Sequence, residues 1–469
     1  MFLTFIFLMF YKKNEMDNRE AILEELTGYM KEHRYDVARR MLSKMNPIDI
    51  ADLFDDLSHE KSLVLFRILP KDISAEVFSN LPHDIQKEVV VRISNEEIQS
   101  IINEMQLDDT VDFIEELPAN LVSKILEHAS PEIRKQINTF LQYPEDSAGS
   151  VMTVEYVSLR SYMTIHEAME YYKRMADEKN NNNICFVIDE TRKLEGVISL
   201  KEMVLSPETS LVRNVMDTNV VSVVTTEDQE VVADLFMKYD LSSMPVTDQE
   251  NRLVGIITVD DIMDVIVDET TEDIHKMAAI DPTKNEYLKE SVFSHAKHRI
   301  TWLVVLMISA TFTALIIRKY EEVLQSAVLL AAFIPMLMDT GGNAGAQAST
   351  LVIRGMALGE IEIKDIFKVI WKEFRISIIV GFLLAALNFL RIYFFDGEVT
   401  VNVIFVICLS LYATVVLAKV MGAILPIFAK WVKMDPAVMA GPMITTIVDA
   451  CALLIYFWLA TKLLPGFGV

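Results

Sequence analysis

From residue 300 onward the chain is a series of apolar runs of about 20 residues, the length that carries a helix across a bilayer. Two of these runs are interrupted by residues that lipid disfavours. The first interruption is PMLMDTGGNAGAQASTL at positions 335–351, with Asp339, Gly341, Gly342, Asn343, Gly345 and Gln347. The second is MDPAVMAGPMITTIVDACALL at positions 434–454, with Asp435, Pro436, Gly441, Pro442, Thr445, Thr446 and Asp449. A carboxylate at membrane depth costs a few kcal/mol and normally faces a water-filled path or a cation, so Asp449 is the most informative residue. The glycine-rich segment is expected to expose backbone carbonyls, which that depth tolerates only where they line a cavity or are buried in protein. Carboxylate and carbonyl oxygens together in lipid point to a pore for a hard cation.

Five spans are expected: 300–317, 323–338 running into the glycine-rich segment, 376–395, 401–428 and 437–464. Arg354, Lys364, Lys368, Lys372 and Arg375 lie between the second and third spans, and Lys430 and Lys433 between the fourth and fifth. Basic loops mark the cytoplasmic side. A multi-pass protein of the cell membrane is therefore expected, with the region before residue 300 in the cytoplasm and the C-terminus outside. Charge divides at the same place. Residues 1–300 carry 31 Lys and Arg against 56 Asp and Glu, and residues 301–469 carry 12 against 11. Nucleic-acid binding needs clustered Lys and Arg, so so acidic a surface excludes it and favours cations. Cys185, Cys408 and Cys451 show no CxxC spacing, and the chain has no HExxH, nucleophile motif or phosphate loop, so an enzyme is not expected.

Residues 1–18 read as an extra stretch. Its apolar part, 1–11, is too short to span and lacks a signal peptide's basic start, and Met16 is an alternative initiator. Residues 19–145 read as short helices. An apolar-x-x-Leu-Pro unit recurs at 66–70, 78–82 and 114–118, where proline ends one helix and opens the next, giving a small α-superhelix. Residues 146–210 and 211–270 repeat. VMTVEYVSL at 151–159 matches VMDTNVVSV at 215–223, and each is followed by an amphipathic helix and two strands punctuated by Gly196 or Gly255. This repeat resembles tandem CBS domains, which implies a regulatory disc that binds adenine nucleotides or ions. Residues 271–299 read as a connecting helix and 300–469 as the membrane domain. The expected fold is multidomain: an α-helical superhelix, an α/β CBS pair and an all-α transmembrane domain of five helices.

That order of domains resembles the MgtE family of magnesium channels and transporters. The motifs that carry the resemblance are PEDSAG (144–149), TTEDIHK (270–276), GGNAGAQ (341–347), DPA (435–437) and GPMITTIVDACALLIYF (441–457). It covers residues 20–465 and implies a homodimer with the pore on its axis, plug helices at about 274–299, and Mg2+ as both transported and regulatory ion. Ala346 departs from the pattern, standing where family members often carry a second Asn, so one polar lining contact is absent.

By the resemblance, Asp449 is the pore carboxylate, Asp435 lies near the cytoplasmic mouth, and Asn343, Gly441 and Thr445 line the path. Read from the residues alone, Asp435 fits equally well as a helix N-cap before Pro436. Glu76, Asp108, Asp109 and Asp112 form one acidic group, Asp228, Glu230 and Asp240 a second, and Asp260, Asp261, Asp264, Glu269, Glu272 and Asp273 a third. Taken singly, each reads as a solvated face. The resemblance implies that Mg2+ bridges such carboxylates at cytosolic interfaces and closes the pore, and that the CBS pair is a candidate ATP site. Two other readings stand beside this one: a broader divalent-cation carrier for Co2+, Ni2+ or Mn2+, and a membrane-anchored CBS sensor without transport. Oxygen-only ligands favour a hard ion over the first, and the cost of an intramembrane Asp449 weighs against the second.

Overall fold

The computed structural model describes residues 19–464 except 116, 176–182, 284–286, 289, 322–323, 325–327 and 397–398. The extra stretch 1–18, with Met16, lies outside the described residues. The chain divides into two compact units, Met1–Met263 and Asp264–Val469.

The first unit begins with short helices. Pro70, Pro82 and Pro118 each occupy the position just before a helix, with φ of −57°, −54° and −58°. A residue with fixed φ and no N–H to satisfy suits that position. Their apolar faces meet in a core where Phe66, Phe78 and Phe113 pack edge-to-face at 5.9 and 5.1 Å. Two of these helices matter below: α1 (Lys71–Ser79) and α2 (Leu107–Glu115).

Two three-stranded sheets follow. In the first, β1 (Ser158–Arg160) pairs parallel with β2 (Ile184–Ile188), which pairs antiparallel with β3 (Leu194–Ser199), and α3 (Ile165–Met175) links β1 to β2. In the second, β4 (Val223–Val224), α4 (Gln229–Tyr239), β5 (Ser243–Thr247) and β6 (Leu253–Thr258) repeat the pattern. The register repeats too, Val187 opposite Gly196 and Val246 opposite Gly255. The two glycines therefore lie inside β3 and β6 rather than between strands, and a close approach of backbone explains why. A Cβ on Gly196 would meet the Asp217 carbonyl oxygen at 2.7 Å, and one on Gly255 the Thr153 oxygen at 2.8 Å. The VMT motif of the first copy thus bridges to β6 and the VMD motif of the second to β3, through Thr153–Ile256 and Val197–Asp217. Helix α5 (Val259–Met277) then leads out of the second sheet.

In the second unit, the single connecting helix expected over 271–299 is two pieces. Helix α5 ends at Met277, Ala279 takes a left-handed φ of 54°, and α6 (Val292–Lys319) starts afresh behind the Ser291 cap. Asp281 precedes Pro282 and so avoids the helical region; its N–H donates to the His298 carbonyl at 2.9 Å. Among the described residues four helical stretches are long and apolar enough to cross a membrane: Val292–Lys319, Ile363–Phe395, Val401–Trp431 and Pro436–Leu463. They contain α6, α8 (Ile366–Phe395), α9 (Val401–Trp431) and α10 (Gly441–Leu463).

The remaining expected span is α7 (Ile334–Ala357), whose 24 residues would reach about 36 Å. It starts later than anticipated and runs unbroken through the glycine-rich segment, so the expected exposure of free backbone carbonyls there is corrected. The glycines serve packing instead. A Cβ on Gly341 would meet Thr414 Cγ2 at 2.6 Å, one on Gly342 would meet Thr445 Cγ2 at 2.9 Å, and one on Gly422 would run into the Gly345 carbonyl oxygen. Small residues let backbones close up where lipid gives no hydrophobic drive to do so. Tyr456 completes the core by donating its hydroxyl to the Leu330 carbonyl at 3.0 Å.

Because Gly422 meets Gly345 backbone against backbone, Gly422→Val is expected to lower the apparent melting temperature of the detergent-solubilised protein by several degrees, overpacking costing ~1–3 kcal/mol. Gly28→Ala, where a Cβ meets nothing within 4 Å, should leave it unchanged or slightly higher. Equal melting of Gly422→Val and wild type would refute the packing role.

Candidate functional site

Helix α7 presents a polar stripe beside its glycine-lined faces. Asp339, Asn343 and Gln347 lie four residues apart, hence one above the other, and are exposed in the single chain. The Asn343 Nδ2 donates to Asp339 Oδ1 at 3.2 Å. Close packing of α7 on α10 brings the half-buried Asp449 near enough to Asp339 for the two charges to act on one another. One turn before Asp449, the Thr445 and Thr446 hydroxyls both donate to the Pro442 carbonyl, at 2.9 and 2.8 Å. Their oxygens keep lone pairs for a further donor or a cation. The wall assembled here is two carboxylates, an amide and hydroxyls, a donor set suited to a hard cation. Asp339 is the member to which sequence reasoning gave no role; its signal was a position one helical turn before Asn343.

A second group gathers where α5 ends. Asp435 accepts the Ala437 N–H at 2.8 Å through Oδ1, which is the N-cap, and receives Lys276 Nζ at 2.7 Å on Oδ2. Lys276 also pairs with Glu272 one turn back. Burial works against the Lys276 ammonium, but hydrogen bonds to Asp435 and then Glu272 outweigh it and raise its pKa. Burial, then the Asp435 charge, pushes the Asp273 carboxyl up. Gly441 is held beside this group with φ of +38°, and a Cβ there would meet the Met277 carbonyl oxygen at 2.5 Å, so both backbone angle and space require glycine. Lys276 is a second residue that sequence reasoning passed over, hidden as the lone cation in TTEDIHK. An ion at Asp435 would have to displace this ammonium.

The third group lies in the first unit. Asp108 of α2 is only 8 % exposed. Burial, then the charges of Asp261 and Asp109, push its carboxyl up to about 8. Asp261 accepts from the Thr258 hydroxyl at the start of α5, and burial pushes it up to about 6. Burial likewise raises Asp109, against a hydrogen bond from Ser79 of α1, with Asp260 adding to the rise. Asp108 and Asp109 thus face Asp260 and Asp261, with Asp108 the most buried of the four and Asp260 exposed.

The other expected residues sit elsewhere. Glu76, Asp112, Asp228, Glu230, Asp240 and Asp264 are exposed, and Glu269 is half-buried. Asp228 caps α4 through the Glu230 N–H at 2.9 Å, and Asp240 closes that helix with φ of 51°. Among the described residues no three His, Cys, Asp or Glu side chains converge closely enough to hold a metal ion.

Comparison with known proteins bears on all three groups. The family model MgtE, described as a divalent cation transporter, matches residues 334–459. The MgtE intracellular N domain matches residues 45–146, and the CBS domain matches residues 148–206 and 212–268. The chain is 34 % identical to the magnesium transporter MgtE of Thermus thermophilus over 432 residues, covering 91 % of this chain and 95 % of that relative. It is 32 % identical to the magnesium transporter MgtE of Bacillus subtilis over 423 residues, covering 90 % and 93 %. Among solved structures, the cytosolic domain of the Mg2+ channel MgtE in complex with ATP is similar, with 34 % identity and a TM-score of 0.50, covering 52 % of this chain and 99 % of that one.

The raised carboxylates make stability depend on pH. A carboxyl at about 8 when folded and 3.8 when unfolded holds its proton longer in the folded state, so its contribution is present at low pH and lost as pH rises through that window. At pH 7 this amounts to ~4 kcal/mol against the packed arrangement. Asp108→Asn keeps an oxygen for the Asp109 N–H, which Asp108 Oδ1 accepts at 3.0 Å, and removes the charge. It is expected to raise the apparent melting temperature at pH 7.5 without divalent cations by about 5–10 °C. The gain should vanish below pH 4, where wild type is itself protonated. A gain that does not vary with pH would contradict the charge explanation.

Proposed function

The chain belongs to the MgtE family of divalent cation transporters, and from that premise we propose that it carries Mg2+ across the cell membrane and is closed by Mg2+ on the cytosolic side. The observation that carries this reading is the oxygen-lined wall of α7 and α10: Asp339, Asn343, Thr445 and Asp449 at membrane depth. Mg2+ sheds water reluctantly and prefers octahedral oxygen. A wall of carboxylates and hydroxyls suits it through its water shell, with binding weak enough for release.

A homodimer with the path on its axis fits the exposed stripe of Asp339, Asn343 and Gln347. A second copy placed across the stripe would shield these polar groups from lipid and double the carboxylates along the path. With residues 1–299 in the cytosol, the basic loops around Lys364 and Lys433 also fall inside and the C-terminus outside, as charge bias directs. A broader divalent range is the second reading, and the oxygen-only donor set favours Mg2+ over Co2+ or Ni2+.

Closure would act through carboxylates. Without Mg2+, Asp109, Asp260 and Asp261 crowd like charges around the buried Asp108, and Glu272, Asp273 and Asp435 are offset by Lys276 with Arg354 acting on Asp273. Mg2+ that binds only the closed arrangement shifts the population toward it. The CBS pair would add a nucleotide input, ATP being the ligand of the similar cytosolic domain.

The deciding measurement is Mg2+ uptake into liposomes holding the purified chain, with Ca2+ as competitor. Wild type should take up Mg2+ with little inhibition by Ca2+, and Asp449→Asn should reduce the rate about tenfold or more, the loss of a site worth ~1.4 kcal/mol. Uptake indifferent to Asp449→Asn would move the path elsewhere, and no uptake by wild type would favour the sensor reading. Neutralising Asp261, Asp264 and Glu272 together should leave flux that internal Mg2+ no longer stops; gating unchanged in that variant would sink the closure mechanism.

A further inference from the structure

Near the far end of α8 from its basic flank lies a cavity of about 640 Å3 that the ion path does not use. Leu329, Phe333, Phe395 and Val399 give it an apolar wall, while Arg391 and Asp396 give it two opposite charges. Arg391 stands four residues before the end of α8, about 6 Å along the axis. Its Nε donates to Asn388 Oδ1 at 3.2 Å, and one terminal nitrogen contacts Met336 Sδ at 3.8 Å. Asn388 is itself buried and leans on Cys408 Sγ at 3.8 Å, which fixes the amide that orients the guanidinium. A guanidinium has five N–H donors, so three are left for a ligand. Neither Arg391 nor Asp396 forms an ion pair among the described residues.

In a membrane-spanning chain this cavity falls at the level of lipid headgroups, where a cation on an apolar stem normally reaches for phosphate. The pairing of charges narrows the choice. A phosphate takes the three free donors of Arg391 in its planar fork, and a primary ammonium a few atoms away takes Asp396. Acyl chains lie along the apolar wall. We propose that this cavity binds one phospholipid of the phosphatidylethanolamine type, Arg391 holding the phosphodiester and Asp396 the ammonium. A phosphatidylglycerol headgroup offers the Asp396 carboxylate neutral hydroxyls but no cation, and a choline headgroup has no N–H to give it. The proposal rests on the membrane-spanning reading and not on which ion is carried.

The test is native mass spectrometry of the purified full chain in detergent, offered equal amounts of phosphatidylethanolamine, phosphatidylcholine and phosphatidylglycerol with identical acyl chains. Wild type should retain phosphatidylethanolamine above the other two. Arg391→Gln should cut that adduct about tenfold, the loss of a charge-assisted pair of hydrogen bonds, and Arg391→Lys should restore part of it. Asp396→Asn should keep lipid binding but erase the preference for phosphatidylethanolamine over phosphatidylglycerol. Equal retention of all three lipids by wild type overturns the proposal, as does an adduct that survives Arg391→Gln. If Arg391 and Asp396 simply close on each other, Arg391→Gln lowers the melting temperature and leaves the adducts unchanged, which also overturns it. Liposome uptake of Mg2+ reports on the transport reading separately, so failure of either is distinguishable.

Discussion

Backbone contact between α7 and its neighbours governs the second unit. Gly341, Gly342 and Gly345 let the backbone of α7 settle directly on the side chains of Thr414, Thr445 and Ile444, and Gly422 of α9 comes up against the Gly345 carbonyl. In lipid no hydrophobic force draws helices together, so dispersion at short range must do it. The consequence reaches the polar groups. Only at that separation do Asp339 and Asp449 fall within each other's field, and only then does the helix carry Asn343 and Gln347 on a stripe free of the packing. A wider seam would leave the same residues as isolated polar groups in hydrocarbon, each with its full desolvation cost.

The same economy of space appears where α5 ends. The turn after Met277 abuts Gly441, and Lys276 answers Glu272 and Asp435. Lys276 in contact, and Arg354 acting on Asp273 as well, face three carboxylates in a partly buried spot. Such a site holds together while Lys276 stays in place, yet it remains attractive to any second cation. Asp435 shows why a cap and an ion contact are not exclusive: Oδ1 serves the helix start and Oδ2 faces outward to the cation.

Much of this architecture could be read from residue order. The leucine–proline units, the doubled VM motif and the apolar run lengths each encode a local rule, and local rules survive folding. What failed depended on partners far along the chain. The glycine-rich segment read as a break because glycine lowers helix propensity, but propensity gave way to packing that no window of sequence contains. Gly196 and Gly255 read as punctuation, whereas their reason lies with Asp217 and Thr153 across the repeat. The connecting helix read as continuous because its polar pattern is helical on both sides of Ala279 and Asp281. Of the acidic residues, Asp108 was indistinguishable from Asp112 in sequence, and three-dimensional burial alone separates them.

That separation has an energetic meaning. Exposed carboxylates such as Asp112 and Asp240 change little when an ion arrives, since water already screens them. Buried ones do not have that relief. Asp108, with Asp261 opposite, opposes its own packing at neutral pH by ~4 kcal/mol. The burial of Asp108, more than the total of negative charge in the first unit, is therefore what would make this group responsive to a cation.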